Sequence, residues 1–217
     1  GVTKAGAGTL VLTGANSYAG GTTISAGVLQ VGAGGTSGSL GGVVTNNAVL
    51  TFNRSDALTH AGAIGGTGVV NQSGGGVLTL SGSNTYSGQT NVNSGTLALG
   101  NATALGATAG ATVVSGGATL DVNGQAVGAE AVTLNAGATL ANSAGSGSLT
   151  GGVTLAGAAT ADVATGSRLL LAGAVSGPGN LTKQGPGAIR LSGNNTYAGT
   201  TLVQAGTLEV ASATALG

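Results

Sequence analysis

Asp121 and Asp162 fall at the same place in two related stretches of the chain, and their carboxylates are the pair best suited to acid–base work. Stacked two coils apart on an outward face they would lie roughly 9–10 Å from one another, a range comparable to that of the acid and base in inverting glycosidases. Ala141 holds the place between them, and the nearest cation in sequence is Arg168, so the acids are spread out rather than gathered with basic groups. His60, the only histidine, ends the stretch Asn53-Arg-Ser-Asp-Ala-Leu-Thr-His60. Proton transfer requires a positioned partner, and with Asp56 four residues away the segment reads as a polar loop. Gly32-Ala-Gly-Gly35 has the glycines of a phosphate cradle, but no helix follows to present an N-terminus, and the glycines read as corners. Tyr18, Tyr86 and Tyr197 follow Asn16, Asn84 and Asn195 at one fixed offset, which reads as a loop brace with the ring packed on the rod in preference to a ligand-stacking platform. Thr22, Thr90 and Thr201 share that frame, yet alternation turns them inward, and no continuous outward array of the kind that binds ice is visible. No catalytic, cofactor-binding or metal-ligating residue is assigned, and the chain reads as non-enzymatic. The alternative is a polysaccharide-active enzyme.

Composition narrows the elements that must position these residues. Of 217 residues, 46 are Gly, 41% are hydrophobic and only 2% are aromatic, so the core must be thin and built from small and β-branched side chains. A compact globule would recruit more aromatics, each burying about 150–250 Å². Disorder combines low hydrophobicity with high charge, whereas here mean hydropathy is +0.40 and formal net charge is zero. Near-neutrality gives no footprint for nucleic acid, and no apolar run approaches the ~20 residues that span a bilayer. Cys is absent, which excludes a disulfide framework and a Cys-based zinc site. With no Met and no signal peptide, the sequence reads as excised from something longer.

Internal repetition carries the fold. GTLVLTGANSYAGGTTISAGVLQVG at 8–32 returns as GVLTLSGSNTYSGQTNVNSGTLALG at 76–100 and as GAIRLSGNNTYAGTTLVQAGTLEVA at 187–211. Tyr18 to Tyr86 is 86 − 18 = 68 residues and Tyr86 to Tyr197 is 197 − 86 = 111, which a period near 22 divides into about three and five coils. Shorter phrases fill the gaps: residues 43–53 align without a gap on 113–123, and the phrase returns at 133–140 and 154–161. Within each repeat the pattern has period 2, as strands require. Leu10/Leu12, Leu78/Leu80 and Ile189/Leu191 point inward around Val11, Thr79 and Arg190. Leu29/Val31, Leu97/Leu99 and Leu208/Val210 do the same around Gln30, Ala98 and Glu209. Gly27, Gly95 and Gly206 precede those strands, where a tight corner favours positive φ. Helical repeats fail for want of a 3.6-residue period, leucine-rich repeats for want of their Asn/Cys register, and a left-handed hexapeptide helix for want of six-residue spacing.

The reading is an all-β chain: one continuous right-handed parallel β-helix over residues 1–217, with about ten coils of roughly 20–22 residues. At ~4.8 Å per coil the rod would be on the order of 45–50 Å long, stabilised by nearest-neighbour stacking, with unpaired strand edges at both ends.

The phrase G-x-G-T-L-x-L-x-G-x-N-T-Y-x-G-x-T-x-V-x-x-G-T-L-x-L-G, with the lead-in Gly179-Asn-Leu-Thr-Lys-Gln-Gly-Pro-Gly187, resembles the autotransporter-associated β-strand repeat, or passenger-associated transport repeat. Gln89, Asn91 and Ala161 depart from its more typical Gly, Thr and Leu. The resemblance implies a type V secreted protein of a Gram-negative bacterium, exported through the outer membrane and displayed at the cell surface as a stalk that assists secretion. It implies a C-terminal outer-membrane barrel in the same parent chain. Self-association or attachment to a host or matrix surface fits such a stalk, with no nucleic-acid partner and no small-molecule cofactor.

Overall fold

Among the described residues the regular structure is strands of two to five residues, rich in Thr, Val and Leu and many of them ended by Gly, Asn or Ser, and the pairings between them are parallel. β-Branched and aliphatic residues suit a pleated, half-buried surface, and glycine releases the chain into each corner. The computed structural model describes residues 1–18 and 20–217, and among these there is no helix. They form two compact units, 1–110 and 111–217, each a β-solenoid of five stacked turns.

In the first unit three ladders run side by side. Thr9–Leu12 stacks under Val28–Val31, Val49–Phe52, Val69–Gln72 and Thr90–Val92; Val2–Lys4 leads to Thr22–Ile24, Val44–Asn46 and Ile64–Gly65; Leu58–His60 leads to Val77–Leu80 and Thr96–Leu99. The second unit repeats the plan. Thr119–Asp121 stacks under Thr139–Asn142, Ala159–Val163, Leu181–Gln184 and Thr201–Val203, flanked by the ladders that begin at Thr112–Val114 and Ala126–Val127. Register sets the turn length: Thr9 lies opposite Val28 (28 − 9 = 19) and Thr22 opposite Val44 (44 − 22 = 22). The ladders thus bear out a β-solenoid of about ten turns of roughly twenty residues.

Alternation places the core as the sequence pattern predicts. Leu29, Leu50, Leu78, Leu80, Leu97 and Leu99 are buried in the first unit, as are Leu120, Leu140, Leu169, Ile189 and Leu191 in the second. Leu10 and Leu12 are only half-buried, and Val210 is exposed, because Thr9–Leu12 and Thr207–Val210 each have a ladder partner on one edge alone. Ala98, expected outside, is buried: its methyl is too short to rise above Thr79, its column neighbour. Gly27, Gly95 and Gly206 adopt φ of 70°, 62° and 71° at the predicted corners.

The long copies are not in phase as whole turns. Leu10, Leu29, Leu50 and Val70 form one inward column, whereas Leu78, the equivalent of Leu10 in the second copy, sits eight residues further on (78 − 70), in the next ladder. The 68-residue offset is therefore three turns plus one face, not three turns of 22. The second copy is rotated one face about the axis relative to the first.

Burial of an aliphatic side chain contributes about 1.5–3 kcal/mol. Leu50→Ala, fully inside the first unit, is expected to destabilise by about 2–5 kcal/mol. Val77→Ala, at a position 40% exposed, should stay within about 0.5 kcal/mol. Urea unfolding of the two variants checks the difference.

Candidate functional site

A corner takes the chain out of the ladder and strands its peptide groups. In the second long copy Asn84 repairs the break. Its Oδ1 accepts from the Ile64 N–H at 2.9 Å and its Nδ2 donates to the Ala104 carbonyl at 2.6 Å, linking the turns before and after its own. Asn195 repeats this in the second unit, accepting from Val175 N at 2.8 Å and donating to Ala215 O at 2.6 Å. The carboxamide reproduces a peptide's carbonyl acceptor and N–H donor together, and both residues are buried. In the first copy Asn16 donates to Ser39 O at 2.9 Å and to its own Gly14 O at 3.0 Å.

The tyrosine two residues on completes the brace. Tyr18, Tyr86 and Tyr197 each bond the Thr four residues ahead, Thr22, Thr90 and Thr201, at 3.0, 2.7 and 2.6 Å. Tyr86 and Tyr197 are buried, Tyr18 half-buried, and Thr22 and Thr90 point inward as alternation requires. The ring fills the widened corner and the hydroxyl is satisfied by a partner inside the same loop.

Two buried lysines were not assigned from sequence. Lys4 Nζ donates to Gly6 O at 2.8 Å and Ala26 O at 2.9 Å. Lys183 Nζ donates to Gln184 O, to Gly185 O at 2.7 Å and to Ala205 O at 3.3 Å. Gln72 stands at the equivalent place in the second copy, its Nε2 on Gly74 O at 2.8 Å and Gly76 O at 3.2 Å. Each closes the inner mouth of a corner where carbonyls turn away from the ladder. Burial pushes the Lys183 ammonium below its ordinary range, partly opposed by the charge of Asp162. The signal was available: alternation through Leu181-Thr182-Lys183 sends Lys183 inward.

The candidate chemical residues are dispersed. Asp121, Ala141 and Asp162 do share one column, but Asp121 is buried rather than solvated, its Oδ1 accepting from Asn123 N at 2.9 Å and Ser143 N at 3.0 Å. Asp162 is exposed and lies beside Gln184. His60 is not in a loop: it ends the strand Leu58–His60, opposite Leu80, its ring tilted against Phe52 at 5.7 Å. Burial lowers its pKa below 6.5, with a partial counter-effect from the Leu40 backbone. Glu130, unassigned from sequence, accepts from the Thr112 hydroxyl at 2.8 Å, and burial raises its pKa. Arg54 is bound to Asp56 at 2.7 Å and donates to the carbonyls of Thr36 and Gly38, pinning the glycine-rich corner 32–38. Outward threonines do form a single-file column, Thr119–Thr139–Thr160–Thr182, in the short coils rather than in the long copies. Among the described residues no group of three or more His, Asp or Glu is placed to hold a metal ion.

Lys183→Gln, which copies the second repeat, is expected to remain within about 1 kcal/mol of the parent, whereas Lys183→Leu strands buried carbonyls at about 1–3 kcal/mol each; denaturant midpoints separate the two. For His60 the folded pKa is depressed, so between it and 6.5 the unfolded chain binds more protons and stability falls as pH drops through that window. Replacing His60 by Leu should flatten this acid-side loss in urea titrations between about pH 7.5 and 5.

The family model for the passenger-associated-transport-repeat matches this chain three times, over residues 2–31, 70–99 and 181–210. Each match takes in the strand bearing the buried plug, Lys4, Gln72 or Lys183, six residues ahead of where the long phrase becomes obvious. Over 107 residues, 49% of this chain, there is 39% identity to the adhesin BmaC autotransporter of Brucella suis biovar 1 (strain 1330); the chain spans 3% of that protein's length. No solved structure matches. Strand, corner brace and plug thus recur together in each matched segment, and the chain carries three passenger-associated transport repeats.

Proposed function

We propose that this segment is a non-catalytic β-helical stalk in a type V secreted surface protein, and that its repeats assist export by folding in sequence as they emerge. One observation carries the reading. In each matched segment the first strand pairs with the third and the second with the fourth: Val2–Lys4 with Thr22–Ile24 and Thr9–Leu12 with Val28–Val31 in the first, and likewise in the other two. A stretch of about thirty residues thus contains both a template layer and the layer that stacks on it. Such a unit closes its own ladder without waiting for distant sequence, and each new turn adds to a finished edge. Chain that has folded outside a narrow pore cannot slide back through it. Export by this route calls for an outer-membrane barrel at the C-terminal end of the parent chain.

The placement of the acids supports the non-catalytic part. Asp56 is held by Arg54, Asp121 by backbone N–H groups, and Glu130 by Thr112, while Glu209 lies between two arginines. That leaves Asp162 without a second carboxylate beside it. Adhesion fits the likeness to the Brucella relative, which is an adhesin. Lateral self-association is the second reading, favoured by outward polar columns such as Gln30–Thr51–Asn71–Asn91, in which neighbouring amides and hydroxyls already bond along the axis.

Asn84→Ala and Asn195→Ala each remove two buried inter-turn hydrogen bonds. Displayed through a barrel on the cell surface, the double variant is expected to show at least a severalfold loss of surface signal, with the remainder degraded by external protease. Unchanged display would refute the stacking role. Settling of the displaying cells reads out self-association, and suspensions as stable as barrel-only controls would reject it.

A further inference from the structure

We infer that the outward face of the strands Ser146–Leu149, Arg168–Leu171 and Ala188–Leu191 binds acidic polysaccharide, with Arg168 and Arg190 holding the acid groups. The chain has five Lys and Arg residues in all. Lys4 and Lys183 are buried on corner carbonyls, and Arg54 is committed to Asp56 and two carbonyls. Arg168 and Arg190 are the two that face solvent, at 61% and 47% exposure, and they fall on one sheet. The register puts them on adjacent turns and two residues apart along the strand, on the order of 8 Å between Cα atoms.

The ground between them is shaped as well as charged. Outward columns run Ser146–Arg168–Ala188 and Ser148–Leu170–Arg190, so the short side chains of Ser146, Ser148 and Ala188 lie beside the long ones of Arg168, Leu170 and Arg190. The result is an open hollow of about 360 Å³ with serine hydroxyls at one side, Leu170 in the floor and the arginines along the other side. Guanidinium groups pair bidentately with carboxylate or sulfate. The serines supply donors and acceptors for sugar hydroxyls, and Leu170 offers an apolar patch to a pyranose face. Glu209 occupies the guanidiniums in the free chain, at 2.9 Å from Arg168 and 3.4 Å from Arg190. One carboxylate shared by two cations leaves a net positive spot. Pairs this exposed are weak and salt-screened, so an incoming acid can displace it.

The inference rests on the display reading only in needing this face outside the cell. Binding of the purified chain to immobilised polygalacturonate, heparin and dextran is the test, the first two arms distinguishing carboxylate from sulfate. We expect binding to at least one acidic polymer and not to dextran, weakening as salt rises. Arg168→Ser with Arg190→Ser should lower affinity at least tenfold with unchanged circular dichroism, and Glu209→Gln should raise it about threefold by removing the internal competitor. Glu209→Gln keeps both arginines, so it reads the site even if the double variant misfolds. Failure to bind either acidic polymer, equal binding to dextran, or affinity indifferent to these substitutions would overturn the site and leave the stalk reading standing.

Discussion

The ladder of backbone hydrogen bonds must remain unbroken from one turn to the next. In a solenoid no strand has a partner in its own turn, so every inward-lying peptide group depends on the layers above and below. Extended segments meet this demand without help. Corners do not, because glycines at positive φ and irregular loops swing N–H and C=O groups out of register. A buried peptide group left unpaired costs about 1–3 kcal/mol, and one buried leucine contributes about 1.5–3 kcal/mol. Two stranded groups thus cancel the gain from a core side chain. Asn84 and Asn195 each satisfy two. Asn142 does the same outside the long repeats, accepting from Gly124 N in the preceding turn and donating to Arg168 O in the following one. The polar interior of the corners therefore weighs as much in the fold as the aliphatic column.

That balance explains what could be read from sequence alone. The strands, the inward Leu and Val columns and the glycine corners follow from period-2 alternation, which is a property of single strands. Phase is a property of the ladder. An offset of 68 residues divides nearly evenly by 22, and equally well into three turns of about twenty with one face left over; only pairing such as Leu50 with Val70 decides between them. The inward lysines and His60 were hidden by a different effect. A polar residue in an alternating pattern is assigned to solvent by default, although Leu58-Thr59-His60 places the imidazole on the same side as Leu58. The dispersal of Asp121 and Asp162 was legible in their column; the burial of Asp121 was not, because it depends on the N–H of Ser143, twenty-two residues away.

Rotation of the second copy by one face has a structural consequence within the first unit. Its brace does not stack on that of the first copy: Asn84 bonds across Ile64 and Ala104, while Asn16 bonds toward Ser39. Asn84 and Asn195 instead each bond a strand residue of the turn before, Ile64 or Val175, and a residue of the tight turn that follows, Ala104 or Ala215. Repeats of this kind work as isolated reinforcements, each joining the strand of the turn before it to the tight turn that continues its own long copy.

Nearest-neighbour stacking also separates what specifies the fold from what the surface offers. Inward positions and corner plugs answer to the ladder, and three of the five cations are used there or on a loop. Outward positions answer to nothing in the core. In the ladder that holds Arg168 and Arg190, the inward column Gly147–Leu169–Ile189 is buried irrespective of whether serine, arginine, leucine or alanine lies beside it. A hollow lined with charge can therefore arise on one face without disturbing the stack beneath it, since the substitutions that create it pass outside every contact that holds the turns together.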